Sequence, residues 1–379
     1  MRISTVEWAP DVGATRAVAL EVLLHGPIAR SEIAKKLQLS AGSLTRLAAP
    51  LIEAGVLIEG DEQSRGRAGR PSRPLDIVPE SRHFLGFKVT SNSVLGVVTD
   101  LRATILGTRT ANLRSTAVEH VVDIIEALSR ELGGLVPSVN AMGIGVGALI
   151  GSDGVVRSAP FLEWTDVPLQ QLVRERTSIP TVVANDLVAF TEYENWFGAG
   201  RELERFAVIT LGAGIGYGLV VHDEIVMDDD YGIGLVGHWP MDPYGPLCPA
   251  GHRGCARTVL TSMAIAGSVS AALGRTVSYD EALDLAQAGE PAAARVIDEA
   301  ARGLGRLIAA IANLTMPEMV VIGGEGVRLT SIAELSIRAG MSENRDPRTR
   351  ELPLNFTSGD DSEWCRGAAV LAIQDYVLP

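Results

Sequence analysis

The hydrophobic pattern of this 379-residue chain changes its period once, near residue 80. Before that point apolar residues recur at helical spacing. Beyond it, short runs rich in valine, isoleucine and glycine alternate with helical stripes. The two spacings belong to different elements and different packing schemes. Residues 1–79 are therefore expected to form one domain and residues 80–379 another. The second is expected to have two lobes, about 80–187 with the C-terminal helix, and 188–362. Charge divides at the same place: residues 1–80 hold 10 basic and 10 acidic side chains, so the whole net charge of -13 belongs to the remainder. An acidic chain does not coat nucleic acid indiscriminately, yet a local DNA-reading surface remains compatible with it.

The first 79 residues carry the spacing of a winged helix-turn-helix. Thr15 to His25 sets Val18, Val22 and Leu23 on one stripe, closed by Gly26-Pro27. Ala29 to Leu37 follows, with Ile33 and Leu37 four apart. Leu39-Ser40 makes a short turn with Ser40 as N-cap. Ala41 to Ala54 then forms a third helix that buries Leu44, Leu47, Ala48 and Leu51 before Gly55 ends it. Its N-terminal half presents Ser43, Thr45, Arg46 and Ala49, the half that meets base edges in a major groove. Residues 56–59 and 75–78 read as paired strands. Between them lies Arg65-Gly66-Arg67-Ala68-Gly69-Arg70-Pro71-Ser72-Arg73, four arginines and no acid in nine residues. Arg65, Arg67, Arg70 and Arg73 would tip a β-wing suited to the focused negative potential of a narrow minor groove. Arg46 is the one cation on the recognition helix, so much of the affinity is expected from phosphate and wing contacts. The implied partner is operator DNA.

Composition narrows the remainder. Apolar residues make up 46% and charged residues 21%, which excludes a disordered or fibrous chain. No apolar run approaches the roughly 18 residues of a membrane span. Met1 to Pro10 carries Glu7 and no apolar centre, so no signal peptide is expected. Cys248, Cys255 and Cys365 cannot build a disulfide framework, and a reducing, cytoplasmic setting is expected. Cys365, near the C-terminal helix, reads as a small buried apolar residue. Asp228-Asp229-Asp230 lacks ordered ligand spacing and reads as a solvated loop.

From Phe84 onward three strands, a helix over residues 119–132 and a glycine-rich strand over 141–149 are expected. A second set follows, with strands at 181–184, 206–211, 218–221 and 319–322 and a long helix over 292–313. Within this α/β pattern lie Val183-Ala184-Asn185-Asp186, Glu194 to Arg201, Thr210-Leu211-Gly212-Ala213-Gly214-Ile215-Gly216, the Gly237-His238…Cys248…Gly251-His252-Arg253-Gly254-Cys255 run and Val321-Ile322-Gly323-Gly324. In this order the motifs resemble the ROK family of repressors and sugar kinases. The resemblance implies an actin- and hexokinase-like (ribonuclease H-like) two-lobed domain, and the head in front of it matches the repressor branch.

The resemblance also assigns roles and exposes departures. ROK kinases open with an Asp-x-Gly-Gly-Thr phosphate loop, where small residues let backbone N–H groups reach phosphate. The matching stretch here is Lys88-Val89-Thr90-Ser91-Asn92-Ser93, with neither the acid nor the glycines, so no ATP is expected. Asn185 and Asp186 match the sugar-binding pair, whose aspartate is the kinases' general base. Without a phosphate loop only its binding role is expected to survive, with Asp186 a vestige of catalysis. The family's Gly-Glu-x-Gly-His reads Gly234-Leu235-Val236-Gly237-His238. The glutamate after Gly-Cys-x is Arg257, and Phe161 replaces an asparagine after Ala159-Pro160. Each lost hydrogen-bond partner costs about 1–3 kcal/mol. Ligand contacts are therefore expected at Asn185, Asp186, His238 and Arg257, for a sugar or sugar derivative that is anionic or less polar than a hexose. His238, Cys248 and Cys255 match three of the family's four zinc ligands. Ala250 stands at the fourth, and His252 is the candidate replacement, so Zn2+ is the candidate cofactor.

The function this implies is a metabolite-responsive transcriptional regulator, a repressor of carbohydrate-related genes, acting as a homodimer or homotetramer. An ATP-dependent sugar kinase with a fused DNA-binding head and a ligand-independent regulator are the alternatives.

Overall fold

The structure, a computed structural model, describes residues 13–60, 73–228, 232–233 and 235–377. The chain divides into two compact units, Met1–Ala189 with Trp364–Pro379, and Phe190–Glu363.

The first unit opens with α1 (Gly13–His25), α2 (Arg30–Lys36) and α3 (Ala41–Glu53). Helix α3 starts where Ser40 Oγ accepts the Ser43 N–H at 3.1 Å. It ends at Gly55, whose φ of +69° is the left-handed conformation that glycine adopts without strain. The Gly55 N–H then reaches the Ile52 carbonyl and the Val56 N–H the Leu51 carbonyl, closing two orphan acceptors of the last turn. Val18, Val22, Leu23, Ile33, Leu44, Ala48 and Leu51 form the buried interior of the three helices. β1 (Leu57–Glu59) and β2 (Leu75–Ile77) pair antiparallel, Leu57 opposite Ile77 and Glu59 opposite Leu75.

Next come β3 (His83–Val89), β4 (Ser93–Asp100) and β5 (Ile105–Asn112), an antiparallel meander. α4 (Val118–Gly133) crosses to β6 (Ala141–Val146), which runs parallel to β3. β7 (Leu149–Ile150), β8 (Val156–Ala159) and β9 (Trp164–Val167) form a small separate sheet. α5 (Leu169–Thr177) leads back to β10 (Thr181–Asn185), parallel to β6. A strand over 141–149 is expected from sequence, but β6 ends at Val146. Gly147 passes close to the Asp186 carboxylate, where a Cβ would stand 3.6 Å from Oδ2, and Leu149 restarts in the small sheet.

Within α6 (Asp186–Trp196) the chain passes to the second unit. There β11 (Arg205–Leu211), β12 (Ile215–Val221) and β13 (Glu224–Ile225) run antiparallel, followed by the short pair β14 (Met227–Asp228) and β15 (Gly232–Ile233). Four helices follow: α7 (Ala256–Leu260), α8 (Ser262–Leu273), α9 (Tyr279–Gln287) and α10 (Pro291–Thr315). β16 (Met319–Gly323) joins parallel to β11. After α11 (Arg328–Asn344), β17 (Leu354–Phe356) joins parallel to β16. The sheet orders β10-β6-β3-β4-β5 and β13-β12-β11-β16-β17 follow one plan. A lead strand begins a three-strand antiparallel meander on one side and has two parallel strands on the other. This doubled plan is the one expected of an actin- and hexokinase-like fold.

The last helix, α12 (Ser362–Val377), belongs to the first unit from Trp364 onward. β3 is buried on both faces, so its sequence is nearly continuously apolar. Leu85, Phe87 and Val89 pack with Val121, Ile125, Leu128 and Leu132 of α4. The alternate residue Gly86 lies opposite Gly143 of β6, and together they make a bare floor under α12. A Cβ at Gly86 would stand 1.9 Å from the Cys365 carbonyl oxygen, and one at Gly143 would stand 1.8 Å from that of Ala368. Cys365 is fully buried in this seat, as its small apolar reading anticipates. Among the described residues, no helix is long and apolar enough to cross a membrane.

Gly143→Ala is expected to lower stability by about 1–3 kcal/mol, because the added methyl meets backbone that has no rotamer with which to yield. Gly42→Ala on α3, where nothing lies within 4 Å, is expected to be neutral or mildly stabilising. Urea unfolding of both variants, followed by circular dichroism, checks the contrast.

Candidate functional site

On the head, Thr45 and Arg46 of α3 are exposed and Ser43 is half-buried. Thr45 Oγ1 donates to the Ala41 carbonyl at 3.0 Å, and the Ser43 hydroxyl lies 2.9 Å from that of Ser40. Arg46 is therefore the longest donor the first turns of α3 direct outward. Arg65, Arg67 and Arg70 lie outside the described residues. Arg73 stands at the foot of the hairpin, its guanidinium 4.0 Å from the Glu59 carboxylate. The same carboxylate also receives Arg30 of α2, so an acid on β1 ties the hairpin to the helices.

In the first unit, β10 ends at Asn185 and α6 begins at Asp186, so both side chains project from one strand-to-helix junction. Asn185 is largely committed to holding that junction. Its Nδ2 donates to the Ala148 carbonyl and its Oδ1 accepts the Leu187 N–H, both at 2.9 Å. Asp186 faces a cation. Lys88 Nζ lies 3.9 Å from Asp186 Oδ2 and 3.7 Å from the centre of the Trp364 ring. Lys88 is 8% exposed, a burial that an ammonium tolerates only with such partners. Sequence reasoning identifies Lys88 only as a missing acid. A single cation inside an otherwise apolar strand is the signal that it has a buried partner.

The second unit holds the other candidates. The turn Gly212-Ala213-Gly214 follows β11, and the Ala213 N–H donates to Glu325 Oε1 at 3.0 Å. A Cβ at Gly212 would stand 2.1 Å from the same oxygen. Glycine turns of this kind bind phosphate through their N–H groups. Here a carboxylate of the chain itself takes up that donor. Glu325 follows Gly323-Gly324 directly and escapes a reading that attends to the glycines alone.

The loop of residues 238–255 is pinned by two isolated bridges, Pro240 with Cys255 and Leu247 with Arg253. One ligand atom each from His238, Cys248 and His252 lie within 4.8 Å of one another. Cys248 Sγ is 3.7 Å from both His238 Nδ1 and His252 Nδ1, and Cys255 Sγ is 3.7 Å from His238 Nδ1. Tetrahedral zinc, at ~2.3 Å from sulfur and ~2.0–2.1 Å from nitrogen, sets such atoms about 3.5 Å apart. The donor set therefore fits zinc in kind and spacing, with Cys255 the member farthest from closure. Burial pushes the Cys248 thiol up. The contacts with the His252 and Ala250 backbone, the Cys255 side chain and the Arg257 charge outweigh it and leave the pKa lowered. Burial, with the His252 and Arg257 charges, also lowers the pKa of His238. Arg257 itself is exposed on α7.

Two of the positions where the resemblance implies a lost sugar contact are apolar and exposed. Leu235 is 73% exposed and Phe161 54% exposed, apolar side chains where hydroxyl-binding groups are expected. Asn185 and Asp186 come together with Lys88 in one unit. His238, Cys248, Cys255 and His252 come together, near Arg257, in the other.

Comparison with known proteins supports the fold described above. The chain is 27% identical over 321 residues to the DNA-binding transcriptional dual regulator NagC of Escherichia coli, across 79% of this chain and 77% of that protein. It is 32% identical over 231 residues to a glucokinase of Thermotoga maritima, across 56% of this chain and 73% of the enzyme. The crystal structure of a ROK family transcriptional regulator, a homologue of the E. coli Mlc protein, matches with a TM-score of 0.81 at 24% identity. That match spans 96% of this chain and 97% of the other, so the fold similarity includes the head. Residues 85–375 match the ROK family, and the chain belongs to it.

Proposed function

We propose that this chain is a DNA-binding transcriptional regulator, a repressor of carbohydrate-related genes, whose ROK domain binds a small metabolite without chemically changing it. The observation that carries the reading is a capped helix-turn-helix, with Thr45 and Arg46 outward, in front of a sugar-kinase-like fold. Arg46 with Ser43 and Thr45 reads the major groove, and Arg65, Arg67, Arg70 and Arg73 contact phosphates and the minor groove. The protein acts as a cytoplasmic homodimer or dimer of dimers, since operator half-sites mirror protein symmetry. Its effector is a sugar or sugar derivative with anionic or reduced polar character, held at Asn185, Asp186, His238 and Arg257.

Two side chains support a non-catalytic domain. Lys88 sets an ammonium against Asp186, the carboxylate that would take the hydroxyl proton in a kinase. Glu325 occupies the Ala213 N–H and adds negative charge where a polyphosphate would approach. The likeness to glucokinase and the presence of Asp186 favour the alternative of a kinase with a DNA-binding head. The same reading gives the loop of residues 238–255 a structural zinc ion held by His238, Cys248, His252 and Cys255. Bound there, zinc would cross-link a loop with little regular structure of its own.

Three measurements bear on this. Fluorescence anisotropy on a duplex selected by the protein from a random pool should show Arg67→Ala/Arg70→Ala weakening binding across sequences and flattening the salt dependence. Arg46→Ala should cost about 1–3 kcal/mol and relax discrimination at one base position. Unchanged affinity in the wing variant at every salt concentration counts against the wing. A coupled ADP-release assay over a sugar panel should stay at background. Turnover that Asp186→Asn abolishes would establish the kinase instead. Elemental analysis should find one zinc per chain, lost in Cys248→Ser together with several degrees of thermal stability. A metal-free chain from zinc-supplemented medium would remove zinc from the account.

A further inference from the structure

Alternate residues of β3 meet α12 along its length. Phe84 packs edge-on against Tyr376, ring centroids 5.5 Å apart, and the neighbouring Arg82 donates to the Tyr376 hydroxyl at 3.1 Å. Gly86 lies against the Cys365 backbone. Lys88 lies against Trp364 in the first turn. At the other end, the Val377 carbonyl accepts a hydrogen bond from Arg16 Nε of α1 in the head. The 16 residues of α12 span about 24 Å. One helix thus has its first turn on the Lys88–Asp186 pair and its last carbonyl on the DNA-reading head.

A second tether fixes the head at a different point. Arg102, in the turn between β4 and β5, donates to the Gly26 carbonyl at 3.2 Å and also bonds the Asp76 carboxylate of β2. The Leu101 N–H donates to the Pro79 carbonyl beside it. Among the described residues, Arg102 holds the head at the base of the hairpin and α12 holds it at α1.

We propose that α12 is the element that transmits the state of Asp186 to the head, with Lys88 and Trp364 as its input and Arg16 as its output. This rests on the regulator reading above and deepens it by naming the residues that couple ligand to DNA. A ligand hydroxyl that hydrogen-bonds Asp186 competes with Lys88 for the carboxylate. Lys88 is buried and cannot surrender its partner to bulk water, so the ammonium shifts its weight onto the Trp364 ring. Trp364 moves with α12. The helix rests backbone-on-backbone on Gly86 and Gly143, so at these two points no side chain absorbs the displacement. It passes along the axis as a rigid shift, on the roughly 1–2 Å scale at which packed helices move in switching proteins. Val377 then displaces Arg16 and α1 while Arg102 holds the hairpin base, and the head turns about that point. The ligand acts only through its differential affinity for the two arrangements, so DNA must in return change the affinity for ligand.

The test uses the full chain with no ligand added. Lys88→Met, Arg16→Ala and the double variant are compared for affinity to the selected duplex, and hydrogen exchange is followed over residues 13–25 with no DNA present. Lys88→Met is expected to change DNA affinity at least ~5-fold, and Arg16→Ala to remove that dependence. Exchange in α1 is expected to rise in Lys88→Met. Single-variant effects that multiply to within about twofold, or an α1 whose exchange ignores Lys88, overturn the proposal. Trp364→Leu against Trp364→Phe carries the same comparison if Lys88→Met does not fold. Failure of the unaltered chain to select any duplex strikes at the DNA-binding reading, and the exchange measurement then judges the coupling alone.

Discussion

The contact between a helix and two side-by-side glycines organises the first unit. Gly86 and Gly143 are register partners on β3 and β6, and carbonyl oxygens of α12 sit where their side chains would be. Because the approach is that close, the alternate residues of β3 reach α12 directly: Phe84 finds Tyr376, and Lys88 finds Trp364. A larger residue at either glycine would lift the helix and leave the Lys88 ammonium buried without its ring. Packing, the ion pair at Asp186 and the attachment of the head through Arg16 all follow from one bare patch of sheet.

The two units use the same sheet plan with different chemistry at the loops. In the first, the Lys88 ammonium stands beside the Asp186 carboxylate. In the second, the Glu325 carboxylate accepts from the Ala213 N–H of a glycine turn. Under the proposed reading, the cation and the acid both oppose metal-nucleotide binding, in keeping with a domain kept for recognition.

Much of this architecture is legible in the sequence because local signals are strong where the chain must start or stop an element. Ser40 and Gly55 bound the recognition helix, and their roles follow from capping chemistry that needs no tertiary information. The lead strands β3 and β11 show as apolar runs because both faces are covered. The β6 boundary is misjudged because Gly147 is shaped by Asp186, distant in sequence. Helix α12 shows no stripe, since Trp364, Cys365 and residues 367–373 are buried around most of its circumference. The partners of Lys88 and the role of Glu325 are likewise set by tertiary approach. Sequence alone shows an odd charge at each position without what it touches. The zinc-type cluster is the intermediate case. His252 is legible as a candidate fourth ligand, while its 3.7 Å distance from Cys248 is visible only in three dimensions.

Glu325 carries one more implication. The Ala213 N–H that Glu325 holds is, under the proposed reading, not open to an adenine nucleotide. Under the proposed reading, the energy charge of the cell is therefore not among the signals this protein integrates. It would report on carbohydrate supply in starved and well-fed cells alike.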